Sequence, residues 1–357
     1  MKTNKSSLPP FGFSRRQFLA GSAALLAAGA LGGVPVPASR RKCRPVISGS
    51  LWWYKTPETA RWGVDDWKEE LDRQTAIGFD LAWICNTPMA LAGSEDASLF
   101  LKIMDLCAAR KMKVILGTGM SPGWYRAWDI KQELALCAGA IAVISSHLKD
   151  HPAFGAWYIP HEIYMAWDKA DAYIQQLYPA LVERCKQAAN LPVTVSPFFI
   201  LDRDHVFGAF RFNEPDEYSD YWAALIRKSG MDVVMLQDSG EHFSYVTNDM
   251  RRPFFEAMSR ACREGGAKFW GNVEMGECEF SSKDEYVERH GRVPLSAVKN
   301  APWRAVPIER LRDKLDLASE HGERIVTWGY QEYGRPALGV KARKWYADYL
   351  DYVNSQL

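Results

Sequence analysis

The sequence predicts a single (β/α)8 barrel, and three observations predict it. Short runs rich in β-branched and aromatic residues alternate with amphipathic stretches of helical period from Pro45 to Asn354. Such alternation means parallel strands joined by helical crossovers. The strand–helix units number eight, which is the count that closes a parallel sheet on itself. The segment Gly49-Ser50-Leu51-Trp52-Trp53 in the first unit is not the glycine-rich phosphate loop that an open doubly wound sheet usually carries there.

In order, Pro45–Trp53 reads as the first strand. Asp65–Ile77 is an amphipathic helix with Trp67, Leu71 and Ala76 on one side and Asp66, Lys68, Glu69 and Asp72 on the other. Phe79–Cys85 is the second strand. Ser94–Lys111 is helical, with Leu99, Ile103 and Leu106 in period, and Met112–Gly117 is the third strand. A glycine- and aromatic-rich loop, Thr118–Trp128, leads to Asp129, an N-cap for a helix to about Lys149. Phe154–Glu162 is the fourth strand and Asp168–Asn190 the next helix. Pro192–Phe199 is the fifth strand, followed by the loop Ile200–Asn213 and the helix Pro215–Lys228. Asp232–Gln237 is the sixth strand, Asp249–Glu264 a helix and Ala267–Glu274 the seventh strand. Met275–Val306 is the longest irregular stretch, rich in charge and expected to overhang the barrel mouth. Ile308–His321 is a helix, Arg324–Trp328 the eighth strand and Gly339–Asn354 the last helix.

The N-terminus reads as an address rather than as fold. Ser14-Arg15-Arg16-Gln17-Phe18-Leu19 precedes a small, weakly apolar run, Ala20–Gly33, and Val36-Pro37-Ala38 fits a small-residue cleavage site. This is the pattern of a twin-arginine export signal over residues 1–38. It leaves a barrel domain at 39–357 and a periplasmic or secreted location. The run is short and rich in Ala and Gly for a membrane anchor, so no membrane association is expected after cleavage. Seven cysteines, an odd number without tight CxxC spacing, suit buried free thiols and give no metal or iron–sulfur pattern. No metal and no cofactor is expected. A net charge of +1 gives no support for nucleic acid as a partner.

Catalysis in a barrel sits at the C-terminal ends of the strands. Those ends carry Trp52 and Trp53, Asn86, Thr118, His161 and Glu162, Phe199, Gln237 and Asp238, Asn272 and Glu274, and Trp328 and Tyr330. Two glutamates, Glu162 and Glu274, thus face one mouth from strands four and seven. Glycoside hydrolysis needs such a pair: one carboxyl protonates the leaving oxygen, and the other attacks or stabilises the anomeric carbon. Glu277 and Glu279 lie close enough in sequence to compete with Glu274, or to be solvated loop charges. The 14 tryptophans suit sugar stacking as well as a large core. Expected sugar contacts are His161, Trp52, Asn86, Trp124, Gln237, Asn272, Trp328 and Tyr330, with Tyr125, Trp128 and Trp167 as further rim aromatics. Asp238 with His242 is a supporting pair after strand six or plain loop. There is no HxH pair on the first strand, no GxSxG elbow, and no dinucleotide or P-loop fingerprint. Cofactor-loaded oxidoreductases use the same export route, but no ligand motif supports one here.

Gly155-Ala156-Trp157-Tyr158-Ile159-Pro160-His161-Glu162 and Phe269-Trp270-Gly271-Asn272-Val273-Glu274 resemble the four/seven clan (clan A) of retaining glycosidases. More narrowly they are similar to a domain-of-unknown-function group of bacterial glycosidase-like TIM barrels, over roughly Pro45 to Asn354. The resemblance implies Glu162 as acid/base and Glu274 as nucleophile, acting on a poly- or oligosaccharide with retention. It departs at one place. The clan usually has Asn, which binds the sugar 2-hydroxyl, just before the strand-four Glu, and here His161 stands instead. A carbohydrate-binding barrel without catalysis, part of an exported polysaccharide system, is the alternative. Sugar identity, linkage, exo or endo action and oligomeric state are not legible.

Overall fold

The computed structural model describes residues 41–356 other than 92, 209 and 239–241, so the export signal read over 1–38 lies outside the described residues. Eight parallel strands close into one barrel. They are β1 (Gly49–Trp53), β2 (Leu81–Cys85), β3 (Lys113–Gly117), β4 (Phe154–Ile159), β5 (Val193–Val195), β6 (Val233–Gln237), β7 (Lys268–Glu274) and, last in the ring, β10 (Arg324–Trp328), which pairs with both β7 and β1. The predicted fold is the observed one.

The main helices fall where the periodicity places them: α1 (Val64–Ala76), α3 (Ser94–Ala109), α5 (Ile130–Leu148), α6 (Asp168–Ala188), α7 (Pro215–Ser229), α8 (Asn248–Gly265), α10 (Ile308–His321) and α11 (Val340–Ser355), with two short helices, α2 (Thr87–Leu91) and α4 (Trp124–Ala127), in the loops after β2 and β3. Asp129 does cap α5, its side chain accepting from Gln132 N. At the foot of the barrel α11 clamps the entry to β1: Tyr349 Oη accepts from Ile47 N at 2.7 Å and Tyr352 Oη donates to Pro45 O at 2.8 Å.

Two hydrophobic layers result. The barrel interior is filled by Leu51, Leu81, Trp83, Cys85, Ile115, Ala156, Tyr158, Val233, Met235, Val326 and Trp328. A larger layer fills the space between strands and helices. Close approach is set by missing side chains. A Cβ on Gly271 would stand 2.8 Å from Ala318 Cβ, so glycine lets α10 lie tightly on β7.

Two expectations are corrected. Met275–Val306 is not irregular. It holds an antiparallel pair, β8 (Gly276–Cys278) with β9 (Trp303–Ala305), and a helix, α9 (Lys283–His290). Its rings pack into the neighbouring loops: Phe207 and Phe243 both contact Tyr286, and Phe243 contacts Phe280. That apolar burial folds a stretch whose charge suggested a solvated loop. Strand four also ends early, at Ile159, because Pro160 has no N–H to continue the ladder. The chain turns there, with Glu162 N bonded to Pro160 O at 3.0 Å. All seven cysteines are free thiols, six of them buried and Cys43 half-buried. Among the described residues no helix is long and apolar enough to cross a membrane.

Candidate active site

Glu162 stands just past the end of β4. Its Oε1 accepts from the Tyr158 hydroxyl at 2.5 Å and its Oε2 from Gln237 Nε2 at 3.0 Å. Tyr158 faces the barrel interior, one turn of the pleat below, and its ring packs edge-on against Trp83 at 4.6 Å. Gln237 ends β6, and the same Nε2 also donates to Ser196 O at 2.8 Å. The amide is therefore fixed, and it fixes the carboxylate.

Glu274 ends β7 and is fully buried. Its N–H donates to Asp238 Oδ1 at 3.0 Å, and its carbonyl oxygen accepts from Lys314 Nζ at 2.5 Å. The His242 Nδ1 lies 3.6 Å from Glu274 Oε2. The His242 ring is wedged between Trp303 and Trp328, at centroid separations of 5.2 and 5.8 Å. Trp328 is the register partner of Glu274 on β10. Successive residues at the end of β6 thus serve the two glutamates: Gln237, its last residue, holds the Glu162 carboxylate, and Asp238, the next, accepts from the Glu274 backbone N–H.

The structure brings together Glu162, Gln237, Asn272, Glu274 and Trp328 of the expected residues. Asn272 lies one layer below Glu274, fully buried, donating from Nδ2 to Ser196 Oγ at 2.9 Å; it shapes the floor rather than the rim. Asn86, just past β2, has φ of 64° and turns its amide back to Tyr54 O at 3.3 Å.

Four expected contacts are corrected. Trp52 points outward, against Trp67 at 5.3 Å and Trp62 at 5.9 Å; its neighbour Trp53 is the one that packs on the interior cluster. Tyr330 also faces outward, between Trp52 and Phe79. Trp124 is buried behind the β3 loop against His161 and Tyr173. The fourth is His161. Its ring is fully buried and turned from the mouth, with Nε2 2.7 Å from Glu133 Oε1 on α5. Its carbonyl accepts from Tyr178 Oη at 2.5 Å. Glu277 is no rival to Glu274: Arg304 Nη2 and Arg310 Nε grip its two oxygens at 3.0 and 2.8 Å.

His161, Glu133 and Cys137 form a buried trio with donor atoms within 4.8 Å of one another. Their contacts fit a hydrogen-bonded pair better than a cation site. Two ligands bonded at ~2.0 Å on different corners of one ion stand about 3.3 Å apart, whereas His161 Nε2 and Glu133 Oε1 are 2.7 Å apart. Burial and the Glu133 charge also push the Cys137 thiol well above its ordinary range, so it stays protonated. Burial works to raise the Glu133 carboxyl as well, but the hydrogen bond and charge of His161, with two hydrogen bonds from Ser121, outweigh it and hold the group below its usual value.

Strand ends do not point to Tyr158, to Lys314 or to the inward turn of His161. Tyr158 was within reach, because alternation along β4 puts Ala156 and Tyr158 on one face. Lys314 had no local signal at all.

A closed barrel of eight parallel strands with polar side chains at its C-terminal end defines a TIM-barrel protein. The chain belongs to the family described as domain of unknown function DUF4434, whose model matches residues 47–338. No curated protein matches the sequence. Among solved structures, a protein described as a putative alpha-L-fucosidase from Bacteroides thetaiotaomicron is 18% identical, with a TM-score of 0.68, over 92% of this chain and 99% of that one. The endo-1,4-beta-mannanase of Rhizomucor miehei is 13% identical, with a TM-score of 0.51, over 87% of this chain and 95% of that one. The family 1 beta-glucosidase of Thermotoga maritima is 10% identical, with a TM-score of 0.51, over 89% and 99%. At such identities the likeness establishes the (β/α)8 barrel fold and nothing finer.

Proposed function

We propose that the protein is a glycoside hydrolase acting on a poly- or oligosaccharide with retention of configuration. Glu162 serves as acid and then base, and Glu274 as nucleophile. The observation that carries this reading is the paired support from β6, where Gln237 bonds the Glu162 carboxylate and Asp238 bonds the Glu274 amide. Glu162 is held at both carboxyl oxygens and Glu274 at its backbone N–H and carbonyl, each by packed side chains near strand ends, a placement that suits a two-carboxylate displacement. His242, beside Glu274, packs between Trp303 and Trp328, rings suited to a sugar face. The twin-arginine segment at 1–38 supports action in the periplasm or outside the cell.

The test is a screen of aryl glycosides and polysaccharides against the wild type, Glu162→Gln and Glu274→Gln. Both variants should melt like the wild type and lose about 10⁴-fold or more in kcat. A 2-deoxy-2-fluoro glycoside should add covalently to a peptide containing Glu274. Near-normal turnover in Glu274→Gln overturns the assignment. Retained glycan affinity with no hydrolysis of any substrate points instead to a binding barrel.

A further inference from the structure

We infer that the site is a pocket for one terminal sugar, so that this chain removes single residues from the non-reducing ends of glycans and leaves internal bonds uncut. This rests on the glycosidase reading above and names the part of a glycan that the mouth accepts.

The two glutamates differ in their access to solvent. Glu274 is 0% exposed, whereas Glu162 is 9% exposed. His242 and Trp328, beside Glu274, are buried as well. In a retaining displacement the nucleophile meets the sugar that stays on the enzyme, and the acid meets the departing oxygen. The deep end of the mouth therefore takes the sugar that is removed, and the end that reaches solvent takes the leaving chain.

The wall on the Glu274 side is joined from loop to loop. Lys283 of α9 pairs with Asp204 on the β5 loop, and the Phe207 ring lies 4.6 Å from that of Tyr286. On the β6 loop, Ser244 N donates to Cys278 O of β8 at 2.9 Å, and the His242 ring packs on Trp303 of β9. The turn after β10 comes next. Its Tyr333 rests against Gly276 so closely that a Cβ there would stand 2.5 Å from the ring. The same ring meets Trp328 edge-on at 6.5 Å. Gln331 ties this turn to the first loop, accepting from Trp53 N at 3.0 Å and donating to Thr56 Oγ1 at 3.3 Å. A glycan cleaved at an internal bond has to leave the site on both sides of the glutamates. Among the described residues, this wall from β5 round to β1 leaves a chain no way out past Glu274.

The Glu162 side is built differently. Two residues beyond Glu162, the Tyr164 carbonyl is anchored by Trp222 Nε1 of α7 at 2.7 Å. The Tyr164 ring meets Trp167 at 5.5 Å and Phe210 at 5.3 Å, and the Arg211 guanidinium lies 4.8 Å over Trp167. Tyr164, Trp167 and Phe210 are all half-buried. Aromatic faces partly open to solvent suit the sugars of a leaving chain.

The test compares oligosaccharides in pairs, with the non-reducing terminal residue free or O-methylated, alongside the parent polysaccharide. Single sugars should be the first product, and the methylated partners should react at least about 100-fold more slowly, because a closed pocket has no room for the added groups. Early loss of polysaccharide viscosity, oligosaccharide products or equal rates on both partners would overturn the pocket and leave the glycosidase reading standing. If nothing is hydrolysed, saturation-transfer NMR on the same oligosaccharides decides. Transfer confined to the non-reducing residue would uphold the pocket and fault the glycosidase reading. Transfer spread along the chain, or none, would overturn the pocket. Trp167→Ala should raise KM about 10-fold more for an oligosaccharide than for an aryl monosaccharide. Equal changes on the two would overturn the placing of the leaving chain beside Glu162.

Discussion

Gln237 and Glu162 meet inside the barrel mouth, the Gln237 amide nitrogen 3.0 Å from Glu162 Oε2. The same nitrogen is anchored to Ser196 O at 2.8 Å, so one buried side chain ties β5, β6 and the end of β4 together. The Tyr158 hydroxyl takes the other carboxylate oxygen. Glu162 is thus held at both oxygens by groups that come from the barrel wall.

Removing either clamp should loosen the carboxylate without moving the substrate. Tyr158→Phe deletes only a hydroxyl. It should lower kcat roughly 10–100-fold, about 1.4–2.7 kcal/mol of barrier, with KM unchanged. Gln237→Leu leaves Ser196 O and Glu162 Oε2 without this donor and should also cost about 1–3 kcal/mol of stability. Steady-state kinetics and urea melts check both. A KM effect alone would mean that these residues contact sugar instead.

His161 should behave as part of the α5 packing. His161→Asn restores the residue the four/seven clan carries at this place, but it leaves Glu133 a buried charge stripped of its histidine, at a cost of about 3–5 kcal/mol. KM should not change, because the ring points away from the mouth. A raised KM with unaltered melting would return His161 to the sugar site. The pH dependence has a defined sign. The folded-state value of Glu133 is depressed, since His161 and Ser121 overcome the effect of burial. Its stabilisation is present above about pH 4.5 and lost as the pH falls through the folded value. Wild-type stability should therefore drop more steeply than that of Glu133→Gln between about pH 5 and about pH 3.

Glu70 gives a contribution of opposite sign. It lies buried on α1, and burial raises its carboxyl to about 7, against weaker lowering by Tyr330, Gln74 and Arg73. A raised folded value means that stability is fully present below the unfolded value of about 4.5 and declines as the pH rises through about 7. The span corresponds to roughly 3 kcal/mol at most. Glu70→Gln should remove that decline, so denaturant midpoints of the variant at about pH 8 should exceed those of the wild type. Equal midpoints across the range would show Glu70 ionised in the folded state.

The sequence by itself determined the barrel. Eight apolar runs separated by helices of 3.6-residue period admit a closed parallel sheet, and strand ends are where polar residues surface. That logic reaches Gln237, Glu274 and Trp328, each the last residue of its strand, and Glu162 and Asn272, which lie within three residues of a strand end. It failed where the question was which way a residue faces. β1 is apolar on both faces, so alternation offers no contrast between Trp52 and Trp53. The same ambiguity covers Tyr330. The turn of His161 away from the mouth has no local signal either, because its partner, Glu133, lies 28 residues away on another element. Lys314, 40 residues beyond Glu274, has no pattern of its own. Only the packing of Ala318 on Gly271 brings its ammonium under the β7 end. Periodicity is a local property and the chain states it openly. The pairing of buried charges is decided by which helix lies against which strand, and that exists only once the barrel has closed.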